Sequence, residues 1–381
     1  MTSKKTRSHT GSTPILIVGA GPVGLTAAIE LSRRGHKIRI IDKEQGPPEQ
    51  SRAIAINART LEILEPCGAT PRLIKEGIQV QCANMYALSK KLMTIDFNRL
   101  DHRYNFLTAL PQTRTEEILA ETLLQYDMEP EWQTGLDSVV QEAKANGDFG
   151  TITCVLQGPD GQRETITPDI VIGADGAHST VRKDMGIGFK GESYPHDWSL
   201  ADVRLSGDVE GQQTGAYLDK GTMCGVIPLG KGRHRIISNQ PDVFKVLPET
   251  LKVEEVFWET LFRVSHRQVE TYQKGNVFLA GDAAHIHSPA GGRGMNLGIE
   301  DAATLAFLID KKDTARYNDM RWPIGNAVLK ATEQQTRMVS SKSRLPVLFM
   351  RYIAPLIMKT PLAVRNMREM MGLAAPHPEW L

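Results

Sequence analysis

The chain has 381 residues, enough for two or more hydrophobic cores and too many for one small module. Its formal net charge is +1, from 45 Lys and Arg against 44 Asp and Glu, so no excess of positive charge favours a nucleic-acid partner. Four cysteines without a C-x-x-C pair argue against a structural zinc site or a disulfide framework and favour a reducing, cytoplasmic location: Cys67, Cys82, Cys154 and Cys224.

The N-terminal part of the chain predicts a tail followed by a βαβ unit. Residues 1–13 are polar and basic and have no apolar segment, which predicts a disordered tail rather than a signal peptide. Residues 14–18 predict a buried parallel strand, residues 23–34 a helix, and residues 37–41 a second strand that ends at Asp42.

A glycine-rich turn joins the first strand to the helix. Gly19 permits a tight turn, Gly21 lets the backbone approach a pyrophosphate, and Gly24 lets the helix pack closely on the sheet. Asp42 lies where an acid can bond a ribose 2′-hydroxyl, which disfavours a 2′-phosphate. This unit predicts FAD or NAD rather than NADP as the tightly held ligand. The alternative is a glycine turn that only closes a strand–helix corner.

The rest of the chain predicts alternating strands and helices, and then a sheet of a different kind. Short runs rich in Val, Ile, Leu and Tyr, separated by glycines between about 190 and 240, predict an antiparallel sheet. The other predicted strands are 151–156, 169–172 and 276–280, and the predicted helices are 60–64, 116–124, 295–309 and 316–337, the last interrupted at Pro323.

A second glycine-rich element follows the strand that ends near residue 280. Asp282 lies at the carboxyl end of that strand, where its carboxylate can accept hydrogen bonds from a flavin ribityl chain. The loop through Pro289, Gly292 and Gly294 carries almost no side chains. The following helix start, with Asn296, can support negative charge at the N1–C2=O edge of a reduced flavin. The two elements together predict noncovalently and tightly bound FAD, with its adenine end on the first element and its redox ring on the second.

A third motif lies between the two elements, at residues 169–182, and reads Asp-Ile-Val-Ile-Gly-Ala-Asp-Gly-Ala-His-Ser-Thr-Val-Arg. In this order, over residues 14–340, the three motifs resemble the class A flavoprotein monooxygenases. These enzymes share the p-hydroxybenzoate hydroxylase fold and include phenol and aromatic polyketide hydroxylases. The resemblance implies that Asp175 and Arg182 contribute to the use of a transient NAD(P)H. A strand-ending turn with a Ser179 helix cap explains the same residue types.

The resemblance reaches two further positions. Arg52 matches the family arginine that lies near flavin and substrate, which implies a catalytic and flavin-contacting role for this cation. Gln112 matches the residue at a helix start that touches the ribityl–phosphate region. A surface arginine on a polar loop is the alternative for Arg52, and solvated helix faces are the alternatives for Arg59 and Arg114.

The expected fold class is α/β. The resemblance implies a discontinuous Rossmann-like FAD-binding domain interleaved with an antiparallel β-sheet substrate domain, plus C-terminal helices. The expected division is a tail (1–13), an FAD-binding domain (14–80, 105–185 and 270–312), a substrate-side β domain (81–104 and 186–269) and a C-terminal helical region (313–381).

The C-terminal region contains an apolar stretch, residues 345–362. Pro346, Pro355 and Pro361 break it, so it cannot supply the roughly 20 unbroken apolar residues of a membrane span. Helices that pack on the body of the protein are expected; a homodimer surface or a weak membrane-surface contact are the alternatives. Larger family members append a thioredoxin-like domain, which we do not expect in this chain.

The implied chemistry is monooxygenation. NAD(P)H reduces FAD, O2 is captured as a flavin C4a-hydroperoxide, and one oxygen atom enters a phenolic or polyketide-like aromatic small molecule. Epoxidation, Baeyer–Villiger insertion and a non-catalytic flavin-binding protein are the alternatives. No metal is predicted, because His285 and His287 lack accompanying ligands. The candidate substrate-lining residues are Tyr194, Trp198, Tyr217, Met223 and His234.

Overall fold

The structure is a computed structural model. It describes residues 14–49, 53–87, 90–143, 149–207, 213–289, 291–343, 345–358, 360–374, 378 and 380–381. The predicted tail, residues 1–13, and the predicted catalytic residue Arg52 lie outside the described residues.

The strands and helices of the described chain are numbered in chain order. The strands are β1 (Ile15–Val18), β2 (Ile38–Ile41), β3 (Ala55–Ile56), β4 (Ile78–Val80), β5 (Cys82–Ala87), β6 (Lys90–Asp96), β7 (Leu107–Ala109), β8 (Gly135–Ala143), β9 (Phe149–Gln157), β10 (Arg163–Ile166), β11 (Ile170–Gly173), β12 (Phe189–Gly207), β13 (Thr214–Asp219), β14 (Thr222–Gly230), β15 (Arg233–Ser238), β16 (Leu251–Val269), β17 (Gln273–Lys274), β18 (Val277–Leu279) and β19 (His285–Ile286). The helices are α1 (Pro22–Ser32), α2 (Ala58–Ile63), α3 (Thr70–Glu76), α4 (Gln112–Leu123), α5 (Thr180–Asp184), α6 (Gly294–Asp310), α7 (Tyr317–Val339), α8 (Leu345–Leu348), α9 (Ala354–Ile357) and α10 (Pro361–Met370).

A five-stranded sheet in the order β17-β18-β11-β1-β2 forms the centre of the nucleotide-binding part. β1 pairs in parallel with both β2 and β11, and β11 pairs in parallel with β18. All four residues of β1 are buried, as expected for a parallel strand covered on both faces. The carboxyl ends of four parallel strands therefore meet at one edge, where open α/β sheets bind their ligands. The predicted α/β fold class is confirmed.

An eight-stranded sheet in the order β19-β16-β12-β15-β14-β13-β5-β6 forms the second layer. It extends beyond the 190–240 region in which antiparallel strands were predicted and uses both segments expected for the substrate-side β domain, 81–104 and 186–269. β16 runs the full length of β12, and β5 and β6 join the far edge. Neighbouring strands are antiparallel, except that β13 pairs in parallel with β5. That pair is joined through the nucleotide-binding part of the chain rather than by a hairpin, so its direction is not restricted to antiparallel.

Helix α7 corrects the expectation of an interruption at Pro323, which lies inside one continuous helix. Proline removes one backbone hydrogen bond and normally kinks a helix. Tertiary contacts hold the residues just before it in place. The Arg321 Nε donates to Asp301 at 2.6 Å, and the Trp322 indole donates to the Val269 carbonyl oxygen at 3.0 Å.

The C-terminal helices pack on the body of the protein through α10. Met367 and Met371 are buried in a cluster with Phe97 and Leu100, and Ala363 is also buried. Arg59, for which a solvated helix face was an alternative, is buried here, and its Nε donates to the Gly372 carbonyl oxygen at 3.3 Å. No helix in the described ranges is both long and apolar enough to cross a membrane.

Candidate active site

A cavity of about 320 Å³ opens at the carboxyl edge of the five-stranded sheet. Its walls bring together four of the predicted residues, Gly19, Gly21, Asp42 and Asp175. They come from the ends of three strands, β1, β2 and β11, so residues far apart in sequence meet in one place because those strands are parallel neighbours.

The glycines of the first element are required by close backbone packing. Gly19 has φ of +103°, and a Cβ there would stand 2.3 Å from the Ala174 carbonyl oxygen. Gly24 packs the first turn of α1 on the Gly19 carbonyl. Gly21 differs, because the only described atom within 4 Å of its Cβ position is Glu116 Oε1, at 3.9 Å. The space beside Gly21, at the start of α1, therefore has room for a phosphate group.

Asp42 is fixed by two backbone amides. Its Oδ2 accepts from the Ala20 amide at 2.6 Å, and its Oδ1 accepts from the Glu44 amide at 2.9 Å. The carboxylate thus ties the end of β2 to the glycine turn while it lines the cavity. A carboxylate oxygen can accept more than one hydrogen bond, so these contacts are compatible with a ribose hydroxyl as an additional donor.

The second element packs directly against the first. A Cβ at Gly281, which has φ of +61°, would stand 2.7 Å from Val23 Cγ2 on α1, and one at Gly298 would stand 2.6 Å from the same atom. Asp282 is exposed beside this contact, and Pro289 is exposed at the loop that leads to α6. Gly294 is the first residue of α6, as the sequence predicted for a helix start at the end of this loop.

The loop itself is held by Asn296. The Asn296 Oδ1 accepts from the Asn57 amide at 3.0 Å and from the Thr60 hydroxyl at 2.8 Å. Its Nδ2 donates to the carbonyl oxygens of Ala55 and Gly292 at 2.8 and 2.7 Å. These four bonds use both lone pairs of the oxygen and both hydrogens of the nitrogen. Asn296 therefore acts as an anchor for the loop and joins it to β3 and α2.

Gln112 and Glu116 occupy the first two turns of α4. The Gln112 Nε2 donates to Glu116 Oε1 at 2.7 Å, and the Gln112 amide donates to the Ala53 carbonyl oxygen at 3.1 Å. Glu116 is buried, lines the cavity, and was not singled out from the sequence. The available signal was an acidic residue inside the buried i, i+3, i+4 pattern that includes Ile118 and Leu119. Arg114, on the same helix, is not part of the cavity wall. Its guanidinium pairs with Glu76 and Glu117 on the surface.

Asp175 and Arg182 belong to the third motif. The Asp175 Oδ2 accepts from the Thr180 amide at 2.7 Å at the start of α5, and burial raises the pKa of this carboxyl. The Arg182 guanidinium donates to the carbonyl oxygens of Ala283 and Ala177 at 2.9 and 2.8 Å. It also lies over the Phe189 ring, 4.0 Å from its centroid. Arg182 therefore connects the third motif to the turn that carries Asp282.

A buried ionic network behind the second element was also missed from the sequence. The two carboxylate oxygens of Asp301 bind His285 Nε2 and Arg321 Nε, each at 2.6 Å, and Oδ2 accepts from the Gly281 amide at 3.1 Å. Burial alone would raise the pKa of Asp301, but Arg321 and His285 outweigh it and hold the pKa below its usual range. His285 is therefore a partner of Asp301. Within the described ranges, no group of three or more His, Cys, Asp or Glu residues could hold a metal ion.

One face of the eight-stranded sheet carries an aromatic cluster. Trp198, Leu200, Phe262 and Val264 are buried in it, and the partly buried residues packed against it are Tyr194, Met223, Ile237 and Trp258. Three candidate substrate-lining residues, Tyr194, Trp198 and Met223, thus lie together. The other two do not join them, because side chains alternate between sheet faces: Tyr217 packs with Val203 and Cys224, and His234 is directly opposite Val203.

Asp202 and Arg235 connect the eight-stranded sheet to the segment just before β3. They are directly opposite each other on β12 and β15 and form a buried two-pronged ion pair at 2.7 and 2.8 Å. Arg235 Nη1 also lies 3.5 Å from the Ala53 carbonyl oxygen, in the segment that follows the predicted position of Arg52. This contact connects the sheet that carries the aromatic face to the segment just before β3, the strand that Asn296 joins to the glycine-rich loop.

The profile of the family described as "FAD binding domain" matches residues 12–315. The chain belongs to this family. Among curated relatives, 6-methylpretetramide 4-monooxygenase of Streptomyces rimosus is 33% identical over 397 residues, covering 94% of this chain and 69% of the relative. Pentachlorophenol 4-monooxygenase of Sphingobium chlorophenolicum is 35% identical over 356 residues, covering 85% of this chain and 64% of the relative.

Solved structures agree with the fold. The anhydrotetracycline hydroxylase from Streptomyces rimosus superposes with a TM-score of 0.78 at 28% identity, covering 97% of this chain and 77% of that one. The p-nitrophenol 4-monooxygenase from Pseudomonas putida superposes with a TM-score of 0.82, covering 96% of this chain and 99% of that one. At 22% identity this second likeness shows the fold alone. The resemblance to class A flavoprotein monooxygenases is confirmed, and with it the flavoprotein monooxygenase class and FAD as cofactor.

The residues present fit FAD. The glycine turn leaves room at the N-terminus of α1, where backbone amides and the helix dipole favour phosphate. The second glycine-rich loop leads into the N-terminus of α6, which favours negative charge at the redox ring. The two positions are joined through the contact of Gly281 with Val23, so one extended dinucleotide can reach both.

Proposed function

We propose that this flavoprotein monooxygenase hydroxylates a phenolic or polyketide-like aromatic small molecule with NAD(P)H as the electron donor. Bound FAD supplies the redox chemistry, taking electrons from NAD(P)H and activating O2. The main support is the cluster of aromatic side chains on one face of the eight-stranded sheet, which Arg235 connects to the segment just before β3. The substrates named for the two curated relatives, 6-methylpretetramide and pentachlorophenol, are both aromatic and are consistent with this class.

The protein's own contribution is binding, orientation and exclusion of water. The partly buried Tyr194, Met223 and Trp258 leave side-chain surface on this face against which a planar substrate can pack, and the buried Trp198 and Phe262 support them. The ion pair of Asp202 with Arg235 neutralises both charges, so this face favours an uncharged ring system over a carboxylate. Arg52 is proposed as the catalytic cation that steadies developing negative charge near the ring, since it precedes the segment that Arg235 contacts.

The cofactor contacts are proposals that rest on position. Gly19, Gly21, Gly24 and Asp42 are assigned to the adenine and pyrophosphate end, where the cavity lies. The residues assigned to the redox ring and the ribityl chain are Gln112, Asp282, Pro289, Gly292, Gly294 and Asn296. The Asn296 side chain is fully used in the loop, so its assigned contact is through the backbone amide in the first turn of α6. For Asp175 and Arg182 we propose a positioning role in nicotinamide use, because the Arg182 guanidinium is bonded to the Ala283 carbonyl oxygen beside Asp282.

The test is consumption of NADH and NADPH with and without a panel of phenols and polycyclic phenols, combined with product analysis and a hydrogen peroxide assay. Substrate-stimulated oxidation with a hydroxylated product supports the proposal. An epoxide or a lactone as product would favour the alternative oxygenases on this fold. Absence of flavin reduction by either nicotinamide, with every ligand, would favour a non-catalytic flavin-binding protein.

We further propose that the C-terminal helices contact an anionic membrane surface weakly. Seven basic and no acidic residues occur between Gln334 and Arg368, although the whole chain is nearly neutral. The same region exposes a row of large apolar side chains: Leu345, Leu348, Phe349, Tyr352, Ile353, Leu356 and Leu362. A basic segment that exposes apolar side chains matches the headgroup region of an anionic bilayer.

Sedimentation with vesicles tests whether the C-terminal helices bind an anionic membrane. Binding to vesicles of mixed phosphatidylcholine and phosphatidylserine, lost in high salt and reduced in Leu356→Glu, supports it. Monomer–dimer exchange on sizing columns without vesicle binding would instead assign the surface to a homodimer.

The division of the chain into two domains with a C-terminal region, and a cytoplasmic location, remain proposals. All four cysteines are free, which suits a reducing compartment.

A further inference from the structure

Glu116 is a buried carboxyl group beside the phosphate-binding turn that the monooxygenase chemistry does not use. It is 2% exposed on the inner face of α4 and lines the same cavity as Gly21 and Asp42. Its Oε1 accepts from Gln112 at 2.7 Å and lies 3.9 Å from the position that a Cβ on Gly21 would take. Its Oε2 is buried and has no hydrogen-bond partner among the residues that the structure describes.

The charges that act on Glu116 do not stabilise the ionised form of its carboxyl group. The described charges that act on it are Asp42, across the cavity, and Glu117, on its own helix, and both are acidic. Lys43, Glu44, Asp175 and His178 also line the cavity. Glu30 on α1, which packs against α4, pairs with Arg33 and Arg34 just after the end of that helix.

Burial is the largest cause that raises the pKa of Glu116, to about 7, and the hydrogen bond from Gln112 only partly opposes it. The apoprotein therefore holds a mixture of neutral and ionised Glu116 near neutral pH. FAD brings the negative charges of its diphosphate to the N-terminus of α1, beside this carboxyl group. Like charges close together favour the neutral form of the acid.

We propose that Glu116 couples FAD binding to proton uptake: the holoenzyme holds this carboxyl group protonated, and an apoprotein with Glu116 ionised takes one proton from solvent when FAD binds. Glu116 is a positioning residue in this scheme. Its neutral side chain shapes the wall beside the phosphate turn without repelling the diphosphate. The inference goes beyond the proposed function, since it depends on FAD binding and not on substrate or oxygen.

The direction of the pH dependence follows from linkage. Below about pH 7 the apoprotein already carries the proton, so affinity for FAD is independent of pH. Above it, binding must first protonate Glu116. The dissociation constant for FAD then rises by up to about tenfold per pH unit, until the pKa of the bound form is passed.

Titration of the apoprotein with FAD, followed by quenching of flavin fluorescence from about pH 6 to about pH 9, tests the proposal. We expect the wild-type dissociation constant to rise at least about fivefold over this range and that of Glu116→Gln to stay flat. Glu121→Gln is the matched control. Its side chain is exposed on the same helix and is not one of the described charges that act on Glu116, so it should keep the wild-type slope. If the FAD dissociation constants of wild type and Glu116→Gln changed in parallel with pH, the proposal would be overturned.

Calorimetry provides a second readout that needs no variant. FAD binding measured at about pH 8, in buffers of different ionisation enthalpy, should show uptake of close to one proton by the wild-type protein. Uptake near zero would overturn the coupling even if Glu116→Gln did not fold. pH-independent FAD binding would defeat only the coupling and leave the proposed hydroxylase intact, whereas no FAD binding at any pH would contradict both.

Discussion

A methyl group on Gly24 would stand 1.8 Å from the carbonyl oxygen of Gly19, closer than any two unbonded atoms approach. The first turn of α1 can therefore pack on the glycine turn only if residue 24 has no side chain. This contact sets the distance between the helix N-terminus and the end of β1, and so the width of the glycine turn to which we assign the FAD phosphates.

Substitution of Gly24 by alanine should move α1 away from the turn. We expect Gly24→Ala to lower the free energy of unfolding by about 1–3 kcal/mol, as overpacking does, and to lower FAD occupancy. The control is Gly158→Ala, since the nearest atom to a Cβ there is the Gln162 carbonyl oxygen at 3.9 Å. Thermal unfolding and the flavin-to-protein absorbance ratio check the prediction; equal values for both variants would count against a tight turn.

Asp282 is the most informative residue of the second element, because it is exposed at the end of the β18 strand. Asp282→Ala should lower flavin occupancy, with a loss of about 1–3 kcal/mol in binding free energy for a charge-assisted hydrogen bond. Equilibrium dialysis against FAD measures the loss. A folded variant that retained FAD fully would show that this carboxylate does not contact the cofactor.

The buried network around Asp301 should be a main determinant of stability. Arg321→Met removes the guanidinium and leaves a buried carboxylate without its strongest partner, which should cost about 3–5 kcal/mol of unfolding free energy. Arg316→Met is the matched control, because Arg316 is 60% exposed in its ion pair with Asp313. Urea denaturation compares the stabilities of the two variants. Equal midpoints of unfolding would mean that the buried network contributes little to stability.

The same network gives a pH dependence of stability. The folded pKa of Asp301 lies below its unfolded value, so its contribution is present above the unfolded pKa and is lost as pH falls through the folded one. We expect the wild type to lose stability more steeply than Asp301→Asn on acidification below about pH 4. Denaturation curves at a series of acidic pH values test this, and parallel curves would contradict it.

The sequence alone was sufficient to predict the features that depend on neighbouring residues in the chain. The β1 strand, the glycine turn and α6 each follow from a few consecutive residues, which is why their positions and the cofactor they imply could be predicted. Glu116 could not be recognised, because its importance depends on Gly21 and Asp42, which only the folded chain brings near it. The pairing of β13 with β5 and the continuation of α7 through Pro323 likewise depend on tertiary contacts.

Arg52 lies outside the described residues, so its role rests on its sequence position. Arg52→Ala should fold and bind FAD but hydroxylate at least about tenfold more slowly, equivalent to about 1.4 kcal/mol of barrier. Arg52→Lys should recover little, because a point charge does not reproduce a planar guanidinium. Steady-state turnover and the ratio of product to NAD(P)H consumed check this. Near wild-type values in Arg52→Ala would place the residue on the surface.

In the proposed reaction the enzyme inserts one oxygen atom from O2 into an aromatic molecule. Turnover of an accepted phenol with NAD(P)H under an atmosphere of ¹⁸O-labelled O2, with mass spectrometry of the product, is the most direct test. We expect a hydroxylated ring that carries one labelled oxygen atom. A product labelled only from water, or consumption of NAD(P)H that yields hydrogen peroxide alone with every aromatic compound tried, would contradict it.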